Sequence, residues 1–167
     1  NSYIHSFNLN IIITRCNNVY GQNQYPEKLI PKFIKSLIEG DKCPIHGNGN
    51  TRRNFVHVYD VSRAFDLILH NGEINEIYNI GTDDEYSVKD ILRVLVKLIK
   101  NDDNYLNYAS FVEDRDFNDF RYSINNERLT DLGWHKELSF EDGIKNTIEW
   151  YSDIFLHNKK YFNIMGV

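Results

Sequence analysis

A chain of 167 residues with 41% hydrophobic content is long enough for a sizeable core, since a domain near 150 residues buries about 68–70% of its unfolded surface without disulfide or metal staples. Its net charge of −5 argues against nucleic-acid or anionic-membrane binding, which needs a basic face to neutralise phosphates. The two cysteines, Cys16 and Cys43, fit a reduced, cytoplasmic protein, and no apolar run approaches the roughly 20 residues that cross a bilayer.

The first ten residues, NSYIHSFNLN, carry Tyr3, Ile4 and Phe7 at helical spacing with no start signal ahead of them, so the chain is expected to begin inside a helix. The β-branched run LNIIITR that follows predicts a parallel strand buried on both faces. A polar cluster, RCNNVYGQNQYPEKLIP at 15–31, comes next. Beyond it Leu29, Ile30, Phe33, Ile34, Leu37 and Ile38 form a helical stripe ended by Gly40. Pro26 can occupy a first-turn position, and Pro31 falls early enough to be tolerated or to mark the true start.

CPIH at 43–46 predicts a short strand leading into the GNGN turn, and NFVHVYD predicts a strand after which Asp60 caps a helix. EIYNIG is a further strand, followed by Ser87 capping the strongly periodic VKDILRVLVKLIK. YASFVE and RYSIN are expected as strands flanking the charged loop 113–120. NNERLTDLGW gives a short helix closed by Gly133 at its C′ position. The last helix starts near Ser139 or Phe140, with Asp142 in the place of the Glu or Gln of a capping box, and its Gly143 is unfavourable for a helix interior. Strands alternating with helices make the chain α/β throughout.

From the residues alone no catalytic machinery can be named. The glycines of GNGN precede a strand, whereas a phosphate loop opens a helix. The six histidines are scattered without metal-ligand spacing. No G-x-S-x-G occurs, and Cys16 serves as well as a small buried residue at a strand end as it would as a nucleophile. The carboxylate pairs Asp83-Asp84 and Asp102-Asp103 lie in turns. What remains is a set of polar residues beside strands, where open α/β sheets bind ligands beyond their carboxyl edges: Asn17, Asn18, Lys28, Asn79, Arg53 and Arg115. Guanidinium forks match phosphate oxygens, and amides both donate and accept, so the set suits a diphosphate joined to sugar hydroxyls.

Five stretches, TRCNNVYGQNQYPEKLIPKFI, CPIHGNGNTRRNFVHVYDVSRAF, EIYNIG, EDRDFNDFRYSINNERLTDLGW and GIKNTIEWY, together resemble the C-terminal half of the extended short-chain dehydrogenase/reductases that act on nucleotide sugars. Y-P-E-K-L-I-P followed by D-R-x-x-x-D-x-R-Y points to the 4,6-dehydratase branch, while Y-N-I-G and D-V-x-R-A are shared more widely. The resemblance implies the C-terminal part of an extended Rossmann-type fold with a small mixed α/β substrate-binding domain. Residues 1–24 would be the tail of the NAD-binding domain and 25–167 the substrate-binding region, with segments near 55–80 returning to the Rossmann sheet.

The same resemblance places Asn17 against the sugar nucleotide, and Cys16 and Asn18 near the nicotinamide of NAD. Lys28 and Leu29 would line the pyrophosphate and sugar, and Pro44, Ile45 and His46 would border the nucleotide. Arg53 and Arg115 would grip phosphate or ribose oxygens, Asn79 would lie beside the base, and Asp114 through Asn118 would form a closing loop. This chain has Asp116 where the family has proline, Asn118 where many members have histidine, and His46 where tyrosine is common; these departures bear on which nucleotide is bound.

The implied substrate is a dTDP-sugar or a related nucleotide sugar, and the implied assembly a homodimer. The reaction implied takes hydride from sugar C4 onto NAD, eliminates water across C5 and C6, and returns hydride to C6. The family's glycine-rich NAD loop, Tyr-x-x-x-Lys pair and Thr-Asp-Glu group lie upstream of the matched stretches, so the chain is expected to be a fragment that supplies no catalytic group and is inactive alone. A nucleotide-sugar epimerase or decarboxylase, and a non-catalytic binding module, are the alternatives.

Overall fold

Three small sheets and six α-helices make up the computed structural model, which describes residues 2–114 and 124–157. In chain order these are α1 (Ser2–Phe7), β1 (Ile13–Cys16), β2 (Asn18–Tyr20), α2 (Leu29–Glu39), β3 (Cys43–His46), β4 (Arg52–His57), α3 (Val58–Asn71), β5 (Ile77–Ile80), β6 (Glu85–Ser87), α4 (Val88–Lys100), β7 (Ala109–Val112), α5 (Glu127–Asp131) and α6 (Phe140–His157). A 3₁₀ turn, Tyr105–Tyr108, precedes β7. β1 pairs in parallel with β5, and β3 with β7. Between them β4 holds β2 in parallel on one edge and β6 antiparallel on the other.

Local sequence accounts for most of the helices. The stripe of α2 buries Ile30, Phe33, Ile34 and Leu37, and the helix stops where Gly40 takes the left-handed conformation, φ 84°, that only glycine adopts freely. It begins at Leu29, so Pro26 lies ahead of it and Pro31 is the third helical residue, where a missing N–H costs nothing. Ser87 caps α4 in a full capping box: its hydroxyl accepts from Asp90 N while Asp90 accepts from Ser87 N. Ser139 and Asp142 repeat half of that arrangement at α6. α5 ends on Leu132, with Gly133 following at φ 97°.

Two elements differ from expectation. β1 is not buried on both faces: Ile13 and Thr14 are half-buried, and Arg15 and Cys16 are exposed. Its neighbour among the described residues is β5 alone, so one edge and part of each face remain uncovered. The second concerns the start of α3. Strand β4 ends at His57, and the helix begins at Val58 with His57 as its cap, Nδ1 accepting from Tyr59 N at 3.2 Å. Asp60 is instead fully buried inside the first turn. Its carboxylate accepts from Glu137 N and Leu138 N at 3.0 and 3.2 Å, and Trp134 Nε1 donates to its carbonyl. A carboxylate spent on these distant N–H groups is not available to cap its own helix. The strand expected over 121–125 falls mostly outside the described residues; Ile124 and Asn125 are irregular.

The buried side chains form two clusters. The larger joins α2, α4 and α6 to β3 and β4 through residues such as Phe33, Leu37, Ile45, Phe55, Leu95 and Tyr151. The smaller lies under α3 and α5 and holds Val56, Ala64, Ile68, Tyr78, Ile80, Leu129 and Trp134. Phe55 and Val56, adjacent on β4, point into different cores, as the two-residue period of a strand requires.

Candidate functional site

β2 and the start of α2 form the walls of a cleft of about 290 Å³, lined by Asn18, Val19, Gln24, Lys28, Leu29, Ile30 and Phe55. At Leu29 and Phe55 it meets a narrower slot of about 150 Å³, lined by Pro44, His46, Thr51, Arg53, Tyr86 and Val88. The groove is thus assembled from the two edges of the central sheet, the start of α2, the end of β3 and the start of α4. Asn18 stands beside Phe55 in the β2–β4 register, and Arg53 stands opposite Tyr86 in the β4–β6 register.

Lys28 precedes α2 in extended conformation, and no side chain caps that helix. The first-turn N–H groups of Leu29 and Ile30 therefore carry the helix's positive end into the cleft wall beside an exposed lysine, an arrangement that favours an anion. Arg53 is half-buried in the slot and donates to Arg52 O at 2.7 Å. His46 is exposed at the rim, where its Nδ1 lies 3.2 Å from Glu113 O. A carbonyl can only accept, so Nδ1 carries the proton and Nε2 of the neutral ring is left as an acceptor.

Of the residues singled out from sequence, Asn18, Lys28, Leu29, Pro44, His46 and Arg53 come together in this groove. Ile45 does not: the pleat of β3 that turns Pro44 and His46 outward sends Ile45 into the core, with no exposed surface. Asn79 sits on β5 and donates its amide to Asn125 O at 2.7 Å, away from the groove. Asp114 is exposed beside Gly47, whose φ of 55° and contact with that carboxylate leave no room for a side chain. Arg115 and Asn118 lie outside the described residues.

Asn17 and Cys16 occupy a second position, at the carboxyl ends of β1 and β5. Asn17 N donates to Ile80 O at 3.0 Å. The residue is 5% exposed, and among the described residues neither amide atom has a hydrogen-bond partner. An unsatisfied buried amide costs about 1–3 kcal/mol, so this one is built for a partner that the described residues do not provide. Gly81 is the residue that admits it: any side chain there would strike Asn17 Oδ1. The adjacent asparagines are therefore divided, Asn18 to the groove and Asn17 to the sheet's carboxyl edge.

Sequence reasoning passed over Gln24, Thr51, Phe55, Tyr86 and Val88. Gln24 stood within the polar cluster and gives a visible amide, whose Nε2 donates to Val19 O while Oε1 is left buried without a partner. Nothing in the sequence pairs Tyr86 with Arg53. A larger cleft of about 520 Å³ lies between α3 and Trp134, but the charges on its wall are paired among themselves or with neighbours, Arg63 with Asp60 and Glu137, and Asp66 with His70.

Residues 1–81 match the family described as the NAD dependent epimerase/dehydratase family. A mouse dTDP-D-glucose 4,6-dehydratase is 46% identical over 162 residues, covering 95% of this chain and 45% of that protein. A solved dTDP-glucose 4,6-dehydratase from Streptomyces venezuelae, with NAD and TYD bound, superposes with a TM-score of 0.87 at 34% identity, covering 96% of this chain and 48% of that one. The chain is thus similar to the NAD dependent epimerase/dehydratase family over residues 1–81 and to 4,6-dehydratases over most of its own length. A trifunctional Arabidopsis thaliana protein with UDP-glucose 4,6-dehydratase activity in its name is 45% identical over 151 residues, 90% of this chain and 22% of that protein. The expected likeness to the 4,6-dehydratases and the expected Rossmann-type α/β architecture both hold, and the chain spans under half the length of the curated relatives it matches.

Proposed function

We propose that the groove holds the nucleoside diphosphate of a nucleotide sugar, and that the protein carrying this chain is an NAD-dependent nucleotide-sugar 4,6-dehydratase acting on dTDP-glucose. The observation that carries this reading is the convergence of Lys28, the uncapped start of α2 and Arg53 along one continuous cleft. In a chain of net charge −5, two cations stand along one cleft where a diphosphate needs them. In this reading Lys28 and the N–H groups of Leu29 and Ile30 hold the diphosphate from one side and Arg53 from the other. Pro44, Val88 and His46 border the base, and Asn18 and Gln24 reach the sugar hydroxyls. These contacts orient the sugar and supply no proton transfer.

Asn17 fits the cofactor. The resemblance set Asn17 against the sugar nucleotide and Asn18 near the nicotinamide; in this reading the two exchange places, because Asn18 lines the groove and Asn17 does not. The Asn17 amide is buried and, among the described residues, unpartnered at the carboxyl ends of a parallel strand pair, where a carboxamide or a hydroxyl would satisfy both atoms. NAD bound there would supply a hydride acceptor that is also the donor when the hydride is returned. Cys16 lies beside this position, exposed at the end of β1. Residues 1–24 with the 55–80 segment would then belong to the cofactor fold and the remainder to the substrate domain, in a cytoplasmic homodimer. Among the described residues no helix is long and apolar enough to cross a membrane.

The test is to incubate the protein carrying this chain with dTDP-glucose and NAD and follow the product by proton NMR. A new C6 methyl signal with loss of the C4 proton is expected; an inverted C4 centre without a methyl group would favour an epimerase. UDP-glucose is the second substrate to try, because the Arabidopsis relative matches nearly as well as the dTDP-glucose enzymes.

A further inference from the structure

Tyr86 is the one phenol lining the slot among the described residues, and its placement is over-determined. The antiparallel β4–β6 register sets it directly opposite Arg53, so the two side chains share a face with Cβ atoms about 5 Å apart. Its ring stacks on Phe140 with centroids 3.9 Å apart and planes at 22°. Phe140 is 5% exposed and is the first residue of α6, next to the Ser139 cap. An offset stack against a buried partner holds the ring in one orientation, and the ring contributes to the slot that also contains His46 and Arg53.

The hydroxyl at the end of this fixed ring makes no hydrogen bond within the described residues. A tyrosine packed this way ordinarily finds a partner for its hydroxyl. Burial, followed by the carboxylates of Asp84 and Asp90, pushes the phenol above its ordinary range, so it stays protonated and able to donate at neutral pH. We propose that Tyr86 is a further ligand-binding residue, donating its hydroxyl to a diphosphate oxygen of the nucleoside diphosphate that Arg53 grips, with Phe140 positioning it. This rests on the nucleotide-sugar reading of the groove and adds a donor to it.

The experiment is calorimetric titration of TDP and of UDP into the protein carrying this chain, as wild type and as Tyr86→Phe, together with a melting curve for each. Phenylalanine keeps the ring and its stack on Phe140 and removes only the hydroxyl. Binding to Tyr86→Phe should be weaker by about tenfold, the cost of one charge-assisted hydrogen bond, with the melting temperature unchanged. Equal affinity in the two proteins overturns the inference, as does a fall in melting temperature that accompanies the affinity loss, since that would make the hydroxyl structural. A wild type that binds neither diphosphate removes the nucleotide-sugar reading itself, an outcome distinct from wild-type binding that Tyr86→Phe retains.

Discussion

Gly143 of α6 lies against the phenol of Tyr20 so closely that a Cβ on it would overlap the Tyr20 oxygen and stand 3.2 Å from His57 Cδ2. The contact lets α6 cross the end of the central sheet, where Tyr20 Oη donates to Phe140 O at 3.4 Å. Replacing a helical glycine by alanine ordinarily gains about 1 kcal/mol. Here the sign should reverse. Gly143→Ala is expected to cost about 1–3 kcal/mol through overpacking against a ring that is 2% exposed, as read by urea denaturation. A neutral or stabilising result would mean that α6 does not pack on Tyr20 in this way.

His57 couples acidity to the junction of β4 and α3. Burial lowers its pKa from 6.5, with Asp60 opposing, and its Nδ1 must stay unprotonated to accept from Tyr59 N. Between the folded value and about 6.5 the unfolded chain binds more protons than the folded one, so stability falls as pH drops through that window. His57→Asn can still cap the helix and does not titrate. From pH 7 to 5 the wild type should lose more melting temperature than His57→Asn; parallel curves would show that His57 is not the sensor.

Asp90 gives a dependence of the same sign in a more acid window. Burial pushes its carboxyl up, but hydrogen bonds from Ser87 and the charges of Arg52 and Arg93 outweigh it and bring the pKa below 3.8. Its contribution is therefore complete above about 3.8 and disappears as pH falls through the folded value. Asp90→Asn should be less stable than wild type at pH 7, and the two should converge near pH 2. A gap that stays constant with pH would assign the loss to packing rather than to the ionised capping box.

Local features of the sequence were enough to identify the helices whose ends are set by neighbouring residues. The stripe of α2 with Gly40, the Ser87–Asp90 box and the Ser139–Asp142 start all depend on residues within a turn or two of each other. What failed depended on distant partners. The burial of β1 is decided by which strands lie beside it, and the cap of α3 passed to His57 because residues 137 and 138 claim Asp60. In the site, Arg53 and Lys28 stood out as cations in an acidic chain. Ile45 and Tyr86 changed places in importance because a pleat and an antiparallel register, neither visible in the sequence, decide which side chains face the slot.

The central claim is that the cleft between α2 and β4 holds a diphosphate, and Arg53 is the residue on which it depends most. Titration of TDP into wild type and Arg53→Ala of the protein carrying this chain measures it directly. A charge-assisted contact of about 1.5–3 kcal/mol predicts affinity at least tenfold weaker in the variant. Equal affinity in the two proteins would contradict the account.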